Sequence, residues 1–189
     1  MYKRVRLRDT VEVPPRFLAD VSDQLVKELL QDKLEGRVDE DVGSIVSVVD
    51  VVDIGDGSVL PGQPGVFYNA TFDALTFDPQ MQEVVDGEIV EVVNFGAFVG
   101  IGPVDGLLHV SQISDEYLAF DEEGQQLASR ESNQAIGVGD AVRARIVTKS
   151  IDERNPRDSK IGLTAKQPGL GKHGWLKKKR EQEEATAGE

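Results

Sequence analysis

Two phenylalanines stand three residues apart around a glycine, Phe95 and Phe98 in "VNFGAFVGIGPVDGLLHVSQIS" (93–114). The chain has only 7 Phe, 3 Tyr and 1 Trp, so a pair in one short segment invites a chemical reading. One reading is burial in a core. The other is a platform for nucleic-acid bases, since every base has a π-face and each stacked base is worth about 1–3 kcal/mol. Residues three apart on a strand point to opposite faces unless the strand kinks, and Gly96 permits a bulge there. His109, further along, suits either a polar contact to such a ligand or a satisfied core histidine. Arg143 and Arg145 alternate with Val142, Ala144 and Ile146, which points both guanidinium groups outward together as candidate phosphate contacts.

Other chemistries find little support. There is no cysteine, which excludes disulfides, thiol nucleophiles and Cys-based zinc sites. The 2 histidines, His109 and His173, are too few for a His-rich metal site. Gly100-Ile101-Gly102 lacks the third glycine of a dinucleotide fingerprint, and Gly171-Lys172 is followed by His173 where a P-loop needs Ser or Thr. The acidic clusters Asp39-Glu40-Asp41 and Asp121-Glu122-Glu123 lack the ligand spacing of a calcium loop. No enzyme class and no cofactor is expected. No run approaches the roughly 18 apolar residues of a membrane helix, and the expectation is a cytoplasmic chain with no membrane partner.

The formal net charge of −13 is unusual for a polyanion binder, whose affinity normally rests on phosphate neutralisation. Acidity also serves solubility in a salt-rich cytoplasm. At molar salt the Debye length falls to about 3 Å, which screens surface repulsion and phosphate attraction alike.

The elements that must position these residues fall into two halves. Residues 2–13 alternate as a half-buried strand, and Pro14-Pro15 ends it and opens a helix over 16–35, with Phe17, Val21, Leu25, Leu29 and Leu30 on one stripe and Gly36 as its C-cap. The Val/Ile-dense stretch Ile45 to Ile54 suits a strand covered on both faces, "GDGS" (55–58) a tight turn, and Val66 to Phe77 a further strand. From Val84 onward come short strands with Gly-rich corners at 84–92, 95–101, 106–110, 141–151 and 160–164. Five such strands fit a small OB-type Greek-key barrel. Residues 115–137 read as a polar, irregular surface insertion. The fold class is therefore α+β, a small strand-helix-strand-strand domain followed by an all-β five-stranded barrel. The expected domains are 1–80, 81–167 and a charged tail at 168–189, mobile or loosely helical.

The barrel sequence "DGEIVEVVNFGAFVGIGPVDGLLHVSQIS", then "VGDAVRARIVTKSID", then "SKIGLTAK", resembles the RNA-binding OB domain first described in ribosomal protein S-one. That family binds RNA through two ring positions matching Phe95 and Phe98, a histidine matching His109, an acid matching Asp152 and a basic residue where Lys160 stands. Together with "YKRVRLRDTVEVPPRF", "EGRVDEDVGSIVSVVDVVDIGDGSVLPGQPG" and "VFYNATFDALTFDP", it also resembles, over almost the whole chain, the E-prime family of archaeal RNA polymerase subunits, relatives of the seventh subunit of eukaryotic polymerase II. The resemblance implies a non-catalytic stalk subunit that pairs as a heterodimer with a small helical polymerase subunit, docks on the polymerase core and reaches emerging single-stranded RNA with its barrel. Loops around Gly36–Gly43 and Gly55–Gly62 are the candidates for core docking, with plain connection between strands as the alternative. The acidic surface resembles that of a halophilic archaeon. A free RNA-binding factor in translation or RNA decay, and a scaffold with both rings buried, are the other classes the sequence leaves open.

Overall fold

A computed structural model of the chain describes residues 1–122, 124–129, 131, 134–150 and 160–187. The chain divides into two compact units, Met1–Asp78 and a second that begins at Pro79. In the first, β1 (Tyr2–Val13), β2 (Val38–Asp39), β3 (Gly43–Val59) and β4 (Val66–Phe77) form an antiparallel sheet in the order β1-β4-β3-β2. Helix α1 (Asp23–Leu34) lies on one face and buries Val26, Leu30 and Leu34, one every turn, against Val11, Ile45, Val48, Ala70 and Phe72.

The helix is shorter than the apolar stripe implied. Pro15–Phe17 makes only a 3₁₀ turn, and α1 starts at Asp23 because the Ser22 hydroxyl caps it, accepting from Leu25 N–H at 3.3 Å. Phe17 and Leu18 are consequently exposed instead of lying on the buried face.

Strand β3 corrects two further expectations. It is not covered on both faces: Val46 and Val49 are half-buried and Val52 is exposed. Its register against β4 slips by one residue at 45/47, 48/50 and 51/53, so each bulge inserts one residue and stretches the inward period from two to three. Ile45, Val48, Val51 and Ile54 thereby all face α1. A backbone group freed by this bulging finds a partner in Glu35, whose carboxylate accepts from Val48 N–H at 3.0 Å and from the Ser47 hydroxyl at 2.9 Å. "GDGS" is strand and not turn, with Gly57 opposite Tyr68 and Ser58 opposite Phe67. A side chain at Gly57 would lie 2.8–2.9 Å from Val66 and Tyr68, so the glycine admits close strand passage. The chain reverses later, at residues 60–65, where Gly62 takes φ +84°.

The second unit is a barrel. Strands β5 (Val84–Val93), β6 (Gly96–Gly100) and β7 (Asp105–His109) form an antiparallel meander. Of the remaining wall, β11 (Ala141–Ser150) pairs with β5, and β12 (Lys160–Thr164) closes the barrel by pairing parallel to β7 and antiparallel to β11. Val85, Ile89, Ala97, Val99, Leu108, Val142, Ala144, Ile146, Ile161 and Leu163 fill its interior.

The stretch 115–137 is more ordered than its polarity implied. β8 (Leu118–Asp121), β9 (Gln126–Ser129) and β10 (Ala135–Gly137) form a separate three-stranded sheet with Leu118, Leu127 and Ile136 buried. After the barrel, β13 (Gly171–Lys172) adds to β11, and Lys172 Nζ donates to Ala135 O at 3.0 Å and to the Asp140 carboxylate at 2.7 Å. Helix α2 (His173–Ala187) follows where a mobile tail or loose helix was expected. Among the described residues, no helix is long and apolar enough to cross a membrane, and no group of three His, Asp or Glu side chains is placed to hold a metal ion.

Candidate nucleic-acid interface

The outer wall of β5, β6, β7 and β12 carries the ring residues. Along β6, Ala97 and Val99 are buried and Phe98 between them points outward, half-buried, as strict alternation requires. Phe98 lies opposite Leu107 on β7, and beside it on β5 is Glu91. Leu107 in turn neighbours Gly162 on β12, which faces Thr148 on β11. The row Glu91, Phe98, Leu107, Gly162 therefore runs across the wall. Its glycine end leaves the half-buried Leu107 uncovered on that side.

Phe95 lies in the two-residue β5–β6 turn, at the end of the wall where Gly96 faces His109. It is 46% exposed, and its carbonyl accepts from Val110 N–H at 2.9 Å, which fixes the turn against the segment after β7. Gly96 serves close approach: a Cβ there would collide with Leu108 O and lie 3.0 Å from His109 Cα. His109 is exposed, directly opposite Gly96 and diagonal to Phe98 on the same face. Its Nδ1 accepts from Ser111 N–H at 3.2 Å and lies 2.8 Å from the Ser111 hydroxyl. With Nδ1 engaged as acceptor, the proton of the neutral ring sits on Nε2, available to a ligand. Lys160 is exposed on β12, two residues before Gly162 and so on the same face, toward the opposite end from His109. Phe98, His109 and Lys160 thus share one wall, with the exposed Phe95 in the turn at its His109 end.

The two arginines do not join them. Arg143 does point out of the barrel, but it makes a two-pronged pair with Asp86, Nε to Oδ1 at 2.8 Å and Nη2 to Oδ2 at 2.9 Å. His173 Nε2 lies 3.1 Å from the same Oδ1. The Arg143 guanidinium, with His173 behind it, holds the Asp86 carboxyl down at about 2 against the opposing cost of burial. Phe98 lies beside Glu91, five residues along β5 from Asp86, so this cluster stands roughly 17 Å from the ring row at ordinary strand rise. Arg145 lies between Thr164 and Val84, and its Nε is buried with no hydrogen-bond partner among the described residues. Asp152 lies outside the described residues.

Leu107 and Gly162 belong to the face and escaped the motif reading, which looked for rings and charges. Counting back two from His109 places Leu107 outward, so the signal was present in the period of β7. Of the docking candidates, Gly36 (φ +79°) ends the turn after α1 and donates to Ile45 O at 2.9 Å, while Gly43 (φ +82°) abuts the backbone of Phe77 and Asp78. Gly55 lies within β3 and Gly62 in the open hairpin turn.

Comparison with known proteins places both halves. Residues 8–64 match the SHS2 domain found in the N terminus of Rpb7p/Rpc25p/MJ0397, and residues 78–160 match the S1 RNA binding domain. Over 177 residues the chain is 36% identical to DNA-directed RNA polymerase subunit Rpo7 of Sulfolobus acidocaldarius, covering 93% of this chain and 95% of that one. The Rpo7 subunit of Saccharolobus shibatae is 34% identical over 178 residues, covering 93% and 97%. Ribonuclease R of Escherichia coli is 36% identical over 95 residues, 49% of this chain but only 12% of that enzyme. Because the likeness to the polymerase subunits runs the length of both chains, whereas that to the nuclease is confined to one part, this chain belongs to the Rpo7 family of DNA-directed RNA polymerase subunits.

Proposed function

We propose that the chain is a non-catalytic stalk subunit of a DNA-directed RNA polymerase. Its amino-terminal unit docks on the core enzyme together with a small helical partner subunit. Its barrel lays single-stranded transcript across Phe95, Phe98, His109 and Lys160, which adds binding energy to the transcribing complex and contributes no chemistry. Asp152 belongs to the same proposed site by its place in the family motif. The loops around Gly36–Gly43 and Gly55–Gly62 are the proposed core contacts. The setting is the cytoplasm, and the net charge of −13 fits a salt-rich one.

One observation carries the RNA half of this reading. An outward Phe98 and an exposed His109 share one wall of an S1-type barrel, and a 46%-exposed Phe95 stands in the turn at its end. Burying both rings, as a pure scaffold requires, is not what the strand alternation produces. A free RNA-binding factor shares only the barrel with this chain, and leaves the amino-terminal unit without a role.

Purification of the tagged chain from its native host, at the salt of its cytoplasm, tests the assembly. The expected result is co-elution with the large polymerase subunits and one small helical protein in fixed ratio. Elution alone, or with ribosomal or RNA-decay proteins, would overturn the polymerase assignment.

A further inference from the structure

Helix α2 packs on the barrel by its first turns only. Trp175 and Leu176 are half-buried, and a Cβ at Gly171 would rest 3.7 Å from the Trp175 ring. Beyond Leu176 the helix stands off the wall and leaves a cavity of about 480 Å³ between itself and β11. The cavity is lined on the helix side by His173, Leu176, Lys179, Arg180 and Glu183, whose three-to-four-residue spacing marks a single face. Arg143 closes it on the barrel side.

A helix face turned toward a protein wall is ordinarily apolar, because that is where burial stabilises it. This face is mainly charged, and its charge is locally opposite to that of a −13 chain. Arg143 and His173 are drawn toward Asp86, which leaves Lys179 and Arg180 as the cations of the cleft; among the described residues no ion pair engages either. Two adjacent exposed cations beside a third, fixed guanidinium present donors for phosphate oxygens, and the volume lies in the range of small-ligand sites. The outward side of β5 carries Glu88 between this cleft and the ring row, and Glu91 heads that row, so the cleft is a separate patch.

We propose that the α2 cleft binds the phosphate backbone of single-stranded RNA, as a second contact separate from the ring face. It rests on the RNA reading above. The ring face holds bases and tolerates salt. The cleft holds backbone charge, and lengthens the RNA that one molecule engages.

The test uses the full chain, two readouts and two paired variants. Anisotropy of labelled oligonucleotides of increasing length reports RNA binding as such, and emission of the single tryptophan, Trp175, reports the cleft. Long RNA is expected to change Trp175 emission, while the shortest RNA that binds leaves it unchanged. Lys179→Ala with Arg180→Ala should weaken long RNA at least fivefold at low salt and lower the salt slope by roughly 1.4, the value for two phosphates on a single strand. Lys177→Ala with Lys178→Ala removes equal charge from the same helix outside the cavity lining, and should weaken long RNA less than twofold. Equal weakening by both pairs would overturn the cleft, since net charge would then explain the effect. RNA binding with a silent Trp175 and an unchanged salt slope would overturn the cleft and leave the ring face standing. Absence of any RNA binding would overturn both. A Trp175 response to a nucleoside triphosphate that RNA does not displace would assign the site to free nucleotides instead.

Discussion

Phe98 is pointed out of the barrel by strand alternation, and Phe95 stands exposed in the turn just before that strand. Phe95 exposes its ring at a cost that a core phenylalanine does not bear, and in the proposed role stacked bases offset that cost. Replacing both by alanine removes two stacking surfaces and should weaken RNA binding more than tenfold, about 1.4 kcal/mol or more. The measurement is a titration of single-stranded RNA against a variant whose circular dichroism matches the parent. Unchanged affinity in that folded variant would remove the rings from the site. The motif names both rings and His109 as candidates. What the motif could not supply was the fate of Arg143, because alternation tells which way a side chain points and not whether Asp86, 57 residues earlier, waits across the strand pair.

Among the elements, β1 and the barrel strands announced themselves through two-residue alternation and Gly-rich corners. Strand β3 did not, although its signal is written in "IVSVVDVVDI" (45–54): Ile45, Val48, Val51 and Ile54 repeat every third residue. Three bulges convert that spacing into one face, and no local rule for strands anticipates a period of three. The inserted sheet β8–β10 was hidden by its polar composition, since strands this short bury few side chains. Helix α2 is tied to the barrel at Asp86, which pairs with Arg143 on β11 and lies 3.1 Å from His173 Nε2 on the helix. Because the Asp86 carboxyl is held at about 2 in the folded chain and titrates near 4 when unfolded, its contribution is complete above about 4 and is lost as pH falls through 2. Trp175 emission should therefore hold steady on acidification to pH 4 and change toward pH 2. In Asp86→Asn the acid step attributable to this group should be gone, with the helix already looser at neutral pH. An acid step unaltered by the substitution would show that other carboxylates govern α2.

For the whole molecule, the charge of −13 and an RNA-binding role are compatible if stacking supplies most of the affinity. The logarithm of the RNA affinity should fall with salt less steeply than for a basic OB protein, with a slope equivalent to about two or three phosphates. A steeper slope, measured over a tenfold range of potassium chloride, would mean that backbone contacts dominate. In the amino-terminal unit several cations are engaged internally: the buried Asp73 carboxylate is held ionised chiefly by Arg6 and also by Arg4, and Lys3 pairs with Asp78.

Strand β12 has a consequence for the order in which the chain is made. It is the strand that joins β7 to β11, so the barrel stays open until residues 160–164 leave the ribosome. The meander that carries Phe95, Phe98 and His109 uses only neighbouring segments and forms early, by local contacts. Through the interval of synthesis between them, β7 offers an unpaired edge directly beside an exposed aromatic face. A nascent chain in that interval is the species most prone to join another copy of itself, and a message cut short before codon 160 would leave it there permanently.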